Sequence, residues 1–353
     1  MAPWLGSEGH ARSEVRHAIC ETVAVTGQAR RPTLTRVADG ITMIDTLMAG
    51  ETELNAVYLL HGDAPCLVET GPGADLALVL EALDTLGVGA NDLGHIVVTH
   101  IHLDHAGAAG ALSMRFPRAT VWAHDRGTPH LADPRRLVTS TARTYGAERM
   151  LAFFGETLPV DGHRLRSVVD GDTISLGSRE LSVMHTPGHA SHHVALHDSR
   201  SGAVFTGEAI GSHLPWGPAA RPALPPPEVD VERAIESIKR IGSRHASALL
   251  TSHFGPVPDP SKACDAASEQ IRSWSRAVRV LLERDPNAGT DAVAANLSDL
   301  AAAEFERATG RSIDMARYDA IGSVTMNAAG LSRYWRKRWE NEATGPPTPT
   351  NEA

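Results

Sequence analysis

The stretch that decides the fold reads His100-Ile101-His102-Leu103-Asp104-His105, and it closes the apolar run Ile96-Val97-Val98. A short apolar run bounded by polar residues predicts a buried strand. Alternate residues of an extended segment point the same way, so His100 and His102 converge on one point. Asp104 and His105 then turn into the following helix, where they can face a second point. Imidazole and carboxylate are the ligand types that borderline divalent metals accept. The small residues Ala106-Gly107-Ala108-Ala109-Gly110 let that helix start close to such ions. Three histidines and an aspartate within six residues predict a metal site rather than a His-rich turn.

Working outward, three further ligand types stand at or just past the ends of predicted strands. They are His189 in Thr186-Pro-Gly-His189, Glu208 in Phe205-Thr-Gly-Glu208, and His253 in Thr251-Ser-His253. Groups at strand ends of an α/β fold can meet on one face. Short β-rich runs precede the motif (residues 41–48, 54–60 and 65–70) and return after it (173–176, 180–185, 192–197, 203–207 and 247–251). Helices are expected over about 74–86, 106–116 and 229–243. The sequence RTYGAERMLAFFG (143–155) predicts one amphipathic helix. The Pro-rich stretch 215–230 cannot be regular structure and reads as a surface loop or a lid. From residue 260 to about 342 the pattern is helical, with Asp259 or Ser261 and Thr290 as expected N-caps.

Composition narrows the function. The chain has 353 residues, a net charge of −9 and 42% hydrophobic residues. That balance disfavours a nucleic-acid binder held by a basic surface. No apolar run is long enough to span a bilayer, and the first twenty residues lack the apolar core of a secretory signal. Cys20, Cys66 and Cys264 are widely spaced and suit free thiols in a reducing compartment, so a cytoplasmic protein without a membrane or nucleic-acid partner is expected. Histidine, at 18 residues, is the unusual count.

These motifs resemble the metallo-β-lactamase superfamily over about residues 37–255, including Leu67-Val68-Glu69-Thr70-Gly71 upstream of the motif. The resemblance implies an α/β fold, an αββα sandwich over residues 37–258. An N-terminal arm (1–36), a C-terminal helical extension (259–343) and a disordered tail (344–353) would flank it. It also implies that His100, His102 and His189 bind a first metal, and that Asp104, His105 and His253 bind a second. Glu208 stands where the family usually places a bridging aspartate, and its side chain is one methylene longer. Two divalent ions follow, zinc first, with iron or manganese as harder alternatives. The expected activity is hydrolysis of an ester, lactone or thioester of a small organic substrate, with Asp104 catalytic. An iron-dependent oxidoreductase and a non-hydrolytic biosynthetic enzyme are the alternatives. His124, His185, His192, His193 and His213, with Tyr145, Phe153 and Phe154, are expected mainly in core or surface positions. The C-terminal helices are expected to pack on the core; covering the cleft or forming a homodimer are the other readings.

Overall fold

The computed structural model of the chain describes residues 31–217, 220–319 and 323–344. The sequence readings for residues 1–30, Cys20 among them, and for 345–353 lie outside the described residues.

Among the described residues, thirteen strands form two sheets. The first contains β1 (Thr33–Ala38), β2 (Ile41–Asp45), β3 (Ala56–Leu60), β4 (Cys66–Val68), β5 (His95–Val97), β6 (Thr120–His124) and β7 (Leu165–Val168), in that spatial order. Its first four strands pair antiparallel, and β4 to β7 pair parallel. The second contains β8 (Thr173–Ser175), β9 (Glu180–His185), β10 (Val194–Asp198), β11 (Val204–Gly207), β12 (Leu249–Thr251) and β13 (Gly255–Val257). Within it only β11 and β12 run parallel.

Residue-by-residue alternation explains why the sheets stack. In β3, Tyr58 and Leu60 face the second sheet, while Val57 and Leu59 face outward. In β11, Phe205 faces inward and Val204 outward; in β12, Leu250 and Leu249 divide the same way. The inner faces meet where Tyr58 packs edge-on against Phe205, ring centroids 5.3 Å apart. The buried Tyr58 hydroxyl donates to the Thr251 carbonyl at 2.5 Å, joining the sheets by a hydrogen bond as well as by apolar contact. Helices cover both outer faces, which makes the four-layer αββα sandwich. On the first sheet these are α1 (Leu76–Thr85), α2 (Leu103–Ala106) and α3 (Ala109–Arg115). The segment expected as one helix over 106–116 is therefore two pieces, and Asp104 and His105 belong to the first of them.

Between β6 and β7 lie α4 (Thr128–Ala132), α5 (Arg135–Tyr145) and α6 (Ala147–Phe154). The single amphipathic helix expected over 143–155 is broken between α5 and α6. Gly146 takes φ +81°, a left-handed conformation that ends one helix and starts the next in a new direction. β1 also corrects the sequence reading, because it lies partly inside the segment assigned to an arm. It is an exposed edge strand, so it lacks the apolar alternation that would announce it.

The second sheet is covered by α7 (Val231–Gly242), α8 (Pro260–Arg284), α9 (Thr290–Thr309), α10 (Met315–Tyr318) and α11 (Val324–Thr344). Asp259 caps α8 by accepting from the Lys262 amide. Thr290 does not cap α9; Gly289 holds that position without a side-chain bond. One apolar cluster runs from Ala195, Val204 and Leu249 of the sheet through Ile238 to Trp274, Leu297 and Leu331. The C-terminal helices thus share a core with the sandwich. Among the described residues no helix is long and apolar enough to cross a membrane.

Helix α11 approaches the Pro-rich segment closely. A Cβ on Gly330 would lie 1.9 Å from the Leu224 carbonyl oxygen. Gly330→Ala should therefore push helix and segment apart and cost about 1–3 kcal/mol, as overpacking does. Urea unfolding measures it, and an unchanged midpoint would contradict this packing.

Candidate metal centre

Every sequence-predicted site residue comes to one place, beside the C-terminal ends of strands from both sheets. The first sheet delivers His100, His102, Asp104 and His105 after β5. The second delivers His189 after β9, Glu208 directly after β11 and His253 after β12. Gly207 makes the last step of β11 possible. Its φ is +51°, and a Cβ there would lie 2.5 Å from both His193 Nε2 and Thr99 Oγ1.

The residues form two sets that share a carboxylate. In the first, His102 Nδ1 lies 3.1 Å from His100 Nε2 and 3.0 Å from His189 Nε2. In the second, Asp104 Oδ2 lies 3.6 Å from His105 Nε2 and 3.4 Å from His253 Nε2. Glu208 sits between them. Its Oε2 is 3.0 Å from His189, 3.3 Å from His100 and 3.4 Å from His105, and its Oε1 is 3.8 Å from His253. His100, His105, His189, Glu208 and His253 are buried; only His102 and Asp104 of this set are half-exposed, both toward the cleft.

The outward ring nitrogens are fastened to the protein. His189 Nδ1 donates to the Ala223 carbonyl at 2.9 Å, and His253 Nδ1 to the Leu54 carbonyl at 2.7 Å. Thr99 Oγ1 donates to Glu69 Oε1 at 2.5 Å, so it accepts from His100 Nδ1 at 3.0 Å. His105 Nδ1 lies 3.3 Å from Glu69 Oε1, which also accepts from Ser252 Oγ at 2.9 Å. These bonds place the protons on the outward nitrogens and leave Nε2 lone pairs pointing inward. His105 Nε2 and His253 Nε2 are buried with no hydrogen-bond partner, which is the condition of a ligand atom rather than of a satisfied core histidine. Four residues, His100, His102, His189 and Glu208, could hold one ion, and Asp104, His105 and His253 another.

Electrostatics ionise the carboxylates and divide the imidazoles: burial opposes a charge on His105 and His189, but Asp104 and Glu69 raise the first well above the usual histidine range and Glu208 raises the second. Burial pushes His100 well below the usual histidine range and His102 down to about 3. Burial alone would raise Asp104, but His105 and His253 outweigh it and hold the carboxyl at about 2. Burial opposes ionisation of Glu208 in the same way, and His189, His100 and His105 overcome it.

The sequence reading missed the supporting atoms. Glu69 binds Thr99, Ser252 and His105 at once. Asn55 Nδ2 donates to the Asp104 carbonyl at 2.9 Å. His193, expected in a core or surface position, is buried and supports the site. Its Nδ1 donates to Thr186 Oγ1 at 2.8 Å, and its Nε2 accepts the Glu208 amide at 3.1 Å. His192 lines the cleft, whereas His124 stacks on His185, centroids 4.4 Å apart, away from the ligands.

Above the ligands opens a cleft of about 370 Å³. Its floor includes His102, Asp104, His189 and Glu208, and one wall is α5, with Tyr145 and Phe154 nearby. The opposite wall is Leu224 to Glu228 with Met326 and Asn327 of α11, so both the Pro-rich segment and the C-terminal helices border the site. Asn327 Oδ1 accepts the Leu224 amide at 2.8 Å, next to the Ala223 carbonyl that holds His189.

Comparisons with known proteins agree with this geometry. The profile of a family described as "Metallo-beta-lactamase superfamily" matches residues 49–253. A probable metallo-hydrolase of Bacillus subtilis (strain 168), YqjP, is 23% identical over 65% of this chain and 76% of its own length. The Homo sapiens acyl-coenzyme A thioesterase MBLAC2 is 30% identical over 35% of this chain, and the match spans 45% of that enzyme. The crystal structure of the metallo-beta-lactamase family protein TTHA1429 from Thermus thermophilus superposes with a TM-score of 0.58. That match is 18% identical and covers 85% of this chain and 94% of the other.

Glu69→Gln should remove a carboxylate shared by four donors, the Thr99 amide among them, and leave one of them unpaired. We expect a loss of about 1–3 kcal/mol in urea unfolding. Wild-type stability would show that Glu69 does not hold the site together.

Proposed function

This chain belongs to the metallo-β-lactamase superfamily, and from that premise we propose that it is a hydrolase that uses two divalent metal ions, zinc foremost, to cleave an ester, lactone or thioester. The observation that carries the reading is Glu208, whose Oε2 stands within 3.4 Å of nitrogens from both ligand sets. The residues fit the ions: inward lone pairs converge, and two buried nitrogens lack any other partner. Ions held there would supply Lewis acidity and bring the pKa of water near 7.

The chain's own groups do the rest. Asp104 is open to the cleft and ionised at neutral pH, so it accepts a hydrogen bond from the attacking water, orients it and receives its proton. Glu208 spans the two sets and fixes their separation. It begins directly after the tight Gly207 step, φ +51°. Tyr145 lines the same cleft, and burial together with Asp104 and Glu208 raises its phenol to about 12. It therefore keeps its proton and can donate to the carbonyl oxygen of a bound substrate. The relative named an acyl-coenzyme A thioesterase supports a thioester as the first substrate to test.

His102→Ala or Asp104→Ala should lower kcat/KM at least about a hundredfold, since even supporting residues of such sites cost 10–100-fold. Far-UV circular dichroism should stay unchanged. Full turnover by either variant on a thioester panel would refute the assignment. Glu208→Asp should fold normally yet bind a different amount of metal or turn over at a different rate. Unaltered stoichiometry by elemental analysis together with unaltered kinetics would show that Glu208 is not a ligand.

A further inference from the structure

Helix α5 has no buried residue, yet one of its faces lines the cleft. Arg136, Ser140, Thr141, Thr144 and Tyr145 follow helical spacing and form a single stripe. At 1.5 Å of rise per residue, Arg136 and Tyr145 stand about 13 Å apart along the axis. Tyr145 is the inner end, where it packs on Phe154 with centroids 5.4 Å apart and feels Asp104 and Glu208. Arg136 is the outer, exposed end. The stripe therefore measures distance from the ligands to the mouth of the cleft.

Charge is distributed unevenly along that ruler. Among the described residues lining the cleft, Arg136 alone is an arginine or lysine. No acidic side chain among the described residues pairs with it. Neighbouring Asp133 is engaged by Arg135, and Glu228 across the cleft accepts the Ser191 amide at 2.8 Å. Leu137, Leu224, Pro225, Pro226 and Met326 give the walls their apolar surface, beside the α5 hydroxyls, His130, His192 and Asn327.

We propose that Arg136 selects the substrate: it binds a carboxylate at the far end of an elongated, apolar molecule whose scissile carbonyl lies over the metal-ligand residues. An arginine fork pairs well with a carboxylate and is wasted on a methyl end. The inference rests on the hydrolase reading and adds the class of substrate to it.

The test compares thioesters of 2-mercaptoethanol in a chain-length series from succinic to sebacic acid, each against the methyl-ended acyl group of equal length, on the metal-loaded full chain. The carboxylated member should be preferred at one intermediate length, by about threefold to tenfold in kcat/KM and through KM, because the pair forms equally in ground and transition states. Arg136→Gln should erase the preference and leave methyl-ended substrates unchanged, and Arg136→Lys should restore part of it. Equal rates for both series, or equal losses on both in Arg136→Gln, would overturn the inference while leaving the hydrolase reading intact. Calorimetric binding of the free dicarboxylic acids needs no turnover. If binding depends on Arg136 but no thioester is cleaved, the carboxylate site at Arg136 stands and the thioester reading falls; binding that does not depend on Arg136 overturns the inference.

Discussion

Ring nitrogens crowded to 3.0–3.1 Å from one another, beside a carboxylate they share, are the constraint on which the structure depends. Left alone, such a group would swing apart. The protein prevents this by gripping each of four imidazoles from behind. Two are held by backbone carbonyls and two through Glu69 and Thr99. These grips come from both sheets and from the segment before α7, so the sandwich must be closed before the cluster can exist. Tyr58, bonded to Thr251 just ahead of His253, is one of the contacts that closes it.

How much of this was legible follows from what kind of atom carries each contact. The His100–His105 motif is local, and its strand-then-helix geometry is written in side-chain types. His189, Glu208 and His253 were readable because each ends an apolar run that could only be a strand. The supporting groups were not readable in the same way. Leu54 and Ala223 act through their carbonyls, which any residue possesses. Glu69 and Asn55 act across long sequence separations, on partners thirty or more positions away. His193 could be read only as a histidine near the site, since its use depends on where the Glu208 amide points.

The fold shows the same division. Strands with strict inside–outside alternation were recognisable, but the exposed β1 was hidden inside an apparent arm. The break between α5 and α6 turned on one glycine whose conformation is set by the contacts of the two helices. The Pro-rich segment was readable as irregular, and its place as a wall of the cleft was not, because that depends on α11 about a hundred residues later. Helix α9 begins on Gly289 and not on a hydroxyl cap, so the threonine beside it was a false signal.

Asn327 and Gly330 give the last helix two duties. It borders the cleft, and through the Leu224 amide it steadies the peptide that aims His189. Specificity and catalytic integrity are thereby inherited together. A lineage that remodelled this wall to admit bulkier molecules would disturb the aim of an imidazole in the same step, so drift toward new substrates meets less resistance on the α5 side. Diversification among close kin of this chain should accordingly be concentrated on α5, which has no fully buried residue and meets the core only through its edge.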